Sequence, residues 1–264
     1  QLRRRASQSI HPRPSVKSER RLSTIATSPR PASCNPAVNH AQYCVISAEL
    51  HRLTSTKSTH RRKVEMSLFN LSLLAPLEQV VVMQSRIGRS AAATDGACHC
   101  FSLHWLSEIL RNPGGLARDR MATISRVSGG ANLILQKVFV TRWGTDGMDG
   151  ADFLATQNYR LRTKNAIRYG AFNLGAVRGK LIAAVGSGFI YSFWFQGSVV
   201  GASGGAHSIA FYVNRYAREY MVHVFDPNFG EFLCTSTEFA VLMSEIFAKY
   251  GPITDHSMRS AMRW

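Results

Sequence analysis

Three residues have the types and surroundings needed for nucleophilic acyl transfer: Cys98, His207 and Asp226. Cys98 opens a segment in which Phe101, Trp105, Leu106, Ile109 and Leu110 recur at three- and four-residue spacing. That periodicity predicts an amphipathic helix, with Thr94 or Asp95 available as its cap and Asn112-Pro113-Gly114-Gly115 as its stop. A thiol in the first turn of a helix lies beside unpaired backbone N–H groups, and the positive end of the dipole favours thiolate over thiol. The competing reading is a buried structural cysteine, one of the most interior residue types.

A thiol nucleophile needs a base, and the base needs an orienting group. His207 and Asp226 fall in two β-like runs, Ala206 to Val213 and Tyr220 to Phe225 with Asp226 just beyond it. If Asn214 to Glu219 is a six-residue connection, antiparallel pairing sets His207 directly opposite Asp226. Period two puts His207 on one face with Ile209, Phe211 and Val213, and Asp226 on one face with Val222 and Val224. The imidazole would then take the thiol proton and return it to a leaving amine while the carboxylate fixes the ring tautomer. His223 alternates to the other face and reads as a surface or internally satisfied histidine. Trp105 and Trp194 read as core.

The elements that must position these residues form a helical half followed by a sheet half. Residues 66 to 83 suggest a leading helix and strand, residues 116 to 128 a helix, and residues 133 to 140 an apolar stretch after the break at Gly129-Gly130. Trp143 to Gly150 reads as a loop without the alternating acids of a calcium site, and a further helix is expected between Ala151 and Arg168. From Phe189 the period becomes two: strands are expected over Phe189 to Phe195, Ala206 to Val213, Tyr220 to Phe225 and Glu231 to Cys234. A helix then spans Thr237 to Tyr250 with Phe239, Leu242, Met243, Ile246 and Phe247 inward, ending at Gly251-Pro252. Helices first and an antiparallel sheet afterwards describe an α+β domain.

The chain has 264 residues and a net charge of +16, of which +10 falls in residues 1 to 65. That stretch also holds five of the nine prolines, many Ser and Thr, and no glycine. It reads as a disordered basic Ser/Pro-rich secretion and linker segment, because it cannot bury enough apolar area to offset chain entropy, and residues 66 to 264 read as the folded domain. No nucleic-acid fingerprint follows it and the aromatics are not interleaved with its basic residues, so nucleic acid is not expected as a partner. Arg3-Arg4-Arg5 precedes no apolar run, so a Sec signal is not expected, and no membrane-spanning stretch is convincing. Five cysteines at irregular spacing argue for action in a reducing compartment rather than a disulfide framework. Cys98-His99-Cys100 with His104 suggests a metal site in isolation, but no second Cys pair or matching His spacing accompanies it, and neither metal nor cofactor is expected.

Around the three residues lie three local words: Gly96-x-Cys98-x-x-x-Ser102-x-x-Trp105, then Gly205-Ala206-His207-Ser208-Ile209-Ala210, then Asp226-Pro227-Asn228-Phe229-Gly230-Glu231-Phe232. Together they resemble the YopT/AvrPphB family of papain-like cysteine proteases, type III secreted effectors with rhizobial members. The resemblance spans roughly residues 88 to 262. It implies a papain-like fold, a cysteine endopeptidase with Cys98 as nucleophile, His207 as base and acid, and Asp226 as orienting carboxylate. It also implies a secreted, monomeric virulence protein acting in the host cell, in the cytoplasm or at the plasma membrane face. Its substrate would be a host protein of the kinase or small GTPase class, and its basic tail is a candidate contact for anionic membrane. Its own N-terminal segment is a second candidate substrate, with Lys57-Ser58 and Lys63-Val64 as candidate bonds. Neither bond is followed by glycine, so myristoylation of a new end is not supported. Cys34 and Cys44, candidate acylation sites, precede both cuts. One departure stands out: papain-like enzymes often carry Asn or Gln five or six residues before the nucleophile to hold the oxyanion, and Ala92 and Ala93 stand there. Two alternatives stand beside it: a thiol acyltransferase or transglutaminase-like enzyme, which needs the same triad with an amine replacing water as acceptor, and, of a different class, a catalytically inactive effector that binds a host protein, which the missing oxyanion amide would favour.

Overall fold

The computed structural model describes residues 67–87, 96–126, 132–146, 148–169, 173–196 and 205–264. The segment 1–65 with its candidate cleavage bonds and cysteines, the alanines at 92 and 93, and the caps expected at Thr94 and Asp95 lie outside these residues.

The described chain opens with α1 (Leu68–Ser72), β1 (Leu73–Pro76) and α2 (Gln79–Ile87), and continues with α3 (Cys98–Arg111), α4 (Ala117–Ile124), α5 (Leu133–Asp146) and α6 (Met148–Tyr159). The second half runs β2 (Leu161–Tyr169), α7 (Leu174–Ile182), β3 (Gly188–Phe195), β4 (Gly205–Tyr216), β5 (Glu219–Asp226), β6 (Gly230–Thr235), α8 (Phe239–Phe247) and β7 (Ile253–Arg263). Among the described residues, all strands join one antiparallel sheet in the order β1-β6-β5-β4-β3-β7-β2. This is the α+β arrangement expected from the sequence, with the helix that bears the thiol packed against the sheet that bears His207 and Asp226.

Alternation divides the core into two layers. Ile190, Ala210, Tyr212 and Phe225 face α3 and join Phe101, Trp105, Leu106 and Ile109, with the Trp105 ring stacked on Phe225 at 5.4 Å. Tyr191, Phe193, Ile209, Phe211, Val213, Val222 and Val224 face the other way, onto α7 and α8, where Leu242, Met243 and Ile246 fill the space. The inward face expected for the 237 to 250 helix is the one observed, although the helix itself is shorter.

Three sequence expectations need correction. The described residues of Trp143 to Gly150 are helical rather than a loop: α5 runs to Asp146 and α6 begins at Met148. Residues 161 to 169 are not helical but form β2, an edge strand that reads Leu-Arg-Thr-Lys-Asn-Ala-Ile-Arg-Tyr and lacks the apolar alternation of a half-buried strand. The β4–β5 connection is shorter than six residues, because pairing continues to Tyr216↔Glu219, leaving Ala217 and Arg218 as the turn, with Ala217 at φ 52°. The register is therefore two residues away from the expected one: Ala210 pairs with Phe225, so Ile209 rather than His207 comes level with Asp226. A two-residue shift preserves the face, whereas a one-residue shift would have reversed it.

Gly230, inside the third word, is a glycine because nothing larger fits. Its φ is +119°, and a Cβ there would lie 2.1 Å from the Ala75 carbonyl oxygen. The crossing of β1 over this glycine brings α2 onto the Asp226 turn: Leu77 N–H donates to Phe229 O at 3.2 Å and Gln79 N–H to Pro227 O at 2.7 Å.

Candidate active site

The structure brings Cys98, His207 and Asp226 together where α3 begins, β4 begins and β5 ends. Alternation along β4 directs His207 away from α3's main contact face. It is buried between the Phe193 ring, 5.5 Å away edge to face, and the Tyr250 ring at 4.8 Å. Its Nε2 bonds to Asp226 Oδ1 at 3.0 Å, which leaves Nδ1 for the hydrogen bond to the Cys98 sulfur. Asp226 is fully buried and well supplied with donors: besides His207 it accepts from the Tyr250 hydroxyl at 2.8 Å and from Asn228 N–H at 2.8 Å. The Asn228 side-chain amide donates to the Tyr250 oxygen at 2.9 Å, so the hydroxyl hydrogen is directed to the carboxylate.

The electrostatics follow from this burial and pairing. Burial alone would depress the His207 ring, but the Asp226 carboxylate and then the Cys98 sulfur outweigh it and raise the imidazolium to about 10. Burial alone would raise the Cys98 thiol, yet the charge and hydrogen bond of His207, helped by a backbone hydrogen bond from Ser208, bring it below the ordinary thiol range. Both shifts favour a thiolate–imidazolium pair. The neighbours are unlike it. Cys100 is fully buried in the core, and burial pushes its thiol up to about 12. His99 is brought down to about 3 by burial and then by the charge of Arg259, so it is neutral and cannot compete as a charged partner. Cys98, Cys100 and His104 thus point to different places rather than around one ion: the cleft, the core, and the side of Glu108, respectively.

The helix start is capped by distant residues rather than by a neighbour. Ala97 occupies the N-cap position with no side-chain hydrogen bond, and its own N–H donates to Gln79 Oε1 at 3.0 Å. The N–H of Cys100 donates to Gln136 Oε1, on α5, at 3.3 Å. Small residues can therefore occupy Gly96 and Ala97, where a local Ser or Asp cap would stand beside the thiol. Gln79 also donates through Nε2 to Asn228 Oδ1 at 2.6 Å, which ties the start of α3 to the Asp226 turn. Neither glutamine was recognisable from spacing, since they lie on other elements, and Tyr250 had no signal beyond being the last residue before Gly251.

The other members of the three words bond to one another across the helix–sheet interface. Ser102 Oγ donates to Ser208 O at 2.9 Å, and Trp105 Nε1 donates to Glu231 Oε2 at 2.8 Å. Glu231 is fully buried, also accepts from Arg120 Nε at 2.9 Å, and bonds to His223 Nδ1 at 3.0 Å. His223 is thus the satisfied internal histidine expected. Trp105 is core as expected, whereas Trp194 lines the cleft instead.

That cleft, about 480 Å³, opens at Cys98 and His207. Gln136, Phe139 and Val140 of α5 form one wall, and Ser192, Trp194, Gly205 and Ala206 of the sheet form the other. Among the described residues no helix is long and apolar enough to cross a membrane.

Residues 180–259 match the model of a peptidase family described as Yersinia/Haemophilus virulence surface antigen. The matched stretch contains His207 and Asp226 and bears out the resemblance to YopT/AvrPphB-type cysteine proteases implied by the three words. No curated protein matches the chain. Among solved structures, the chain is similar to the Pseudomonas avirulence protein AvrPphB, at 16% identity and a TM-score of 0.44, over 66% of this chain and 94% of that one.

Proposed function

From a chain whose sheet half matches this family of virulence cysteine peptidases, we propose a secreted effector endopeptidase that cleaves a host protein through Cys98, His207 and Asp226. The observation that carries the reading is the buried His207–Asp226 pair hydrogen-bonded to a thiol at a helix start, on the wall of an open cleft. The Cys98 thiolate attacks a peptide carbonyl carbon, the C–S bond forms, and the π pair moves onto oxygen. On collapse the C–N bond breaks and the departing nitrogen takes the proton of the His207 imidazolium. Water then gives a proton to neutral His207 as its oxygen attacks the thioester, and expulsion of the sulfur restores the ion pair. Asp226 keeps the ring oriented throughout and stabilises its charged form. The family resemblance points to a kinase or small GTPase of the host as substrate, and the protein's own N-terminal segment is a second one.

Mass spectrometry after treatment with a peptidyl thiol trap tests the reading directly: one adduct on Cys98 is expected. An adduct on Cys100 alone, or an unreactive native protein, rejects it. Deletion of residues 1 to 65 is expected to leave a cooperatively folding, trap-reactive domain. A broadened urea transition after deletion would remove that boundary.

The pH profile of turnover tests the pairing. Activity requires thiolate and imidazolium together, so it rises through an acid step below the ordinary thiol range and falls toward pH about 10, where His207 loses its proton. Asp226→Asn removes the charge that raises His207, and the alkaline step is expected to move down by roughly one to three units. An unchanged alkaline limb would mean that Asp226 does not set the charge of the ring.

A further inference from the structure

Attack on a carbonyl places charge on oxygen, and the position that often supplies a side-chain amide for it holds Ala92 and Ala93, whose side chains have no donor. Among the described residues, three amide side chains surround the site. Gln79 accepts from Ala97 and donates to Asn228 at 2.6 Å, and Asn228 in turn donates to Tyr250 at 2.9 Å, so both are committed to holding the triad. Gln136 differs. It is 4% exposed, it lines the cleft with Cys98 and His207, and its hydrogen bond at 3.3 Å uses the carbonyl end.

We infer that Gln136 is a catalytic residue whose side-chain Nε2–H donates to the oxyanion of the tetrahedral intermediate, replacing the amide absent from the segment before Cys98. The inference rests on the protease reading above. Acceptance from Cys100 N–H fixes which end of the amide is oxygen, so the NH₂ group is the end left to serve the cleft. The amide is also held rigidly, as oxyanion stabilisation demands. Asn132 caps α5, its Oδ1 accepting from Ile134 and Leu135 N–H at 3.1 and 3.2 Å, and its carbonyl receives Gln136 N–H at 3.1 Å. One turn further along α5, Phe139 stacks on His99 with ring centroids 3.7 Å apart, which docks the helix on the first turn of α3. When the Cys98 sulfur bonds to the carbonyl carbon, the π pair moves to oxygen and hydrogen-bonds Nε2–H. When the C–N bond breaks, the pair returns and the nitrogen leaves with the proton of His207.

Two variants separate donation from capping. Gln136→Glu retains an acceptor for Cys100 N–H but loses the donor, and Gln136→Ala loses both. Each full-length protein is measured for release of p-nitrophenol from N-acetylglycine p-nitrophenyl ester, whose acylation passes through an oxyanion, and for alkylation of Cys98 by iodoacetamide, which does not. Both variants are expected to lose about 10²- to 10³-fold in acylation, the usual effect of removing one donor. Alkylation of Gln136→Ala is expected to stay at the wild-type rate. Wild-type acylation by Gln136→Glu would make Gln136 a cap and overturn the inference. Parallel loss of alkylation and acylation in Gln136→Ala would also overturn it, by assigning the residue to holding the thiol. A wild-type protein that is alkylated at Cys98 yet never acylated would overturn the protease reading itself, a result distinguishable from either failure of Gln136.

Discussion

Cys98→Ala is expected to reduce hydrolysis of a protein substrate by roughly 10⁴-fold or more, to the level left by binding and oxyanion contacts alone. Among the described residues, no neighbouring thiol can replace the sulfur. Cys100 is two residues along the same helix, but it is fully buried among core side chains and its thiol is pushed up to about 12, so almost none is thiolate at neutral pH. The variant is also expected to fold normally, because Cys98 is only partly buried at the first helical position and a methyl group is tolerated there. The measurements are turnover and urea midpoint on the same preparation. Retained turnover in Cys98→Ala with loss in Cys100→Ala would identify the other thiol as the nucleophile.

Glu231→Ala has the largest expected effect on stability, a loss of about 3 to 5 kcal/mol, because it leaves a buried guanidinium and an indole N–H without their acceptor. The carboxylate is fully buried and receives Arg120 and Trp105 while bonding to His223. These groups come from β5, α3 and α4, so one side chain ties two helices to the sheet. Burial alone would raise its pKa; the hydrogen bonds and charges of His223 and Arg120 outweigh that and hold it at about 2, against 4.5 for an ordinary glutamate. Because the folded value is the depressed one, its contribution is present above pH about 4.5 and is lost as the pH falls toward about 2. Urea unfolding near neutral pH should show the full deficit in Glu231→Ala, and the difference from wild type should shrink across that acid window. A variant with the wild-type midpoint at neutral pH would show that the cluster contributes nothing to the fold. Turnover is a separate matter, since Glu231 faces the layer away from His207.

The faces of the site residues within their strands were legible in the sequence, because they depend on geometry local to each strand. Successive Cβ atoms point to opposite faces whatever the strand pairs with, so His207 could be placed with Ile209 and Asp226 with Val224 strand by strand. Bringing the two onto one face needed a register, and the expected one was off by two residues, an even shift that keeps the face. The helix bearing Cys98 was legible through its apolar spacing, and the third word already contained Gly230, whose absent side chain admits β1. What the tertiary structure decided were the partners that come from far along the chain. Gln79 and Gln136 reach the first turn of α3 from α2 and α5, and Tyr250 reaches Asp226 from beyond α8. No periodicity links such residues, since their proximity arises only when separate layers close. The strands β2 and β7 were hidden for a related reason. β7 buries His256, Ser257 and Arg259, and polar residues inside a sheet erase the hydropathy alternation by which a strand is recognised.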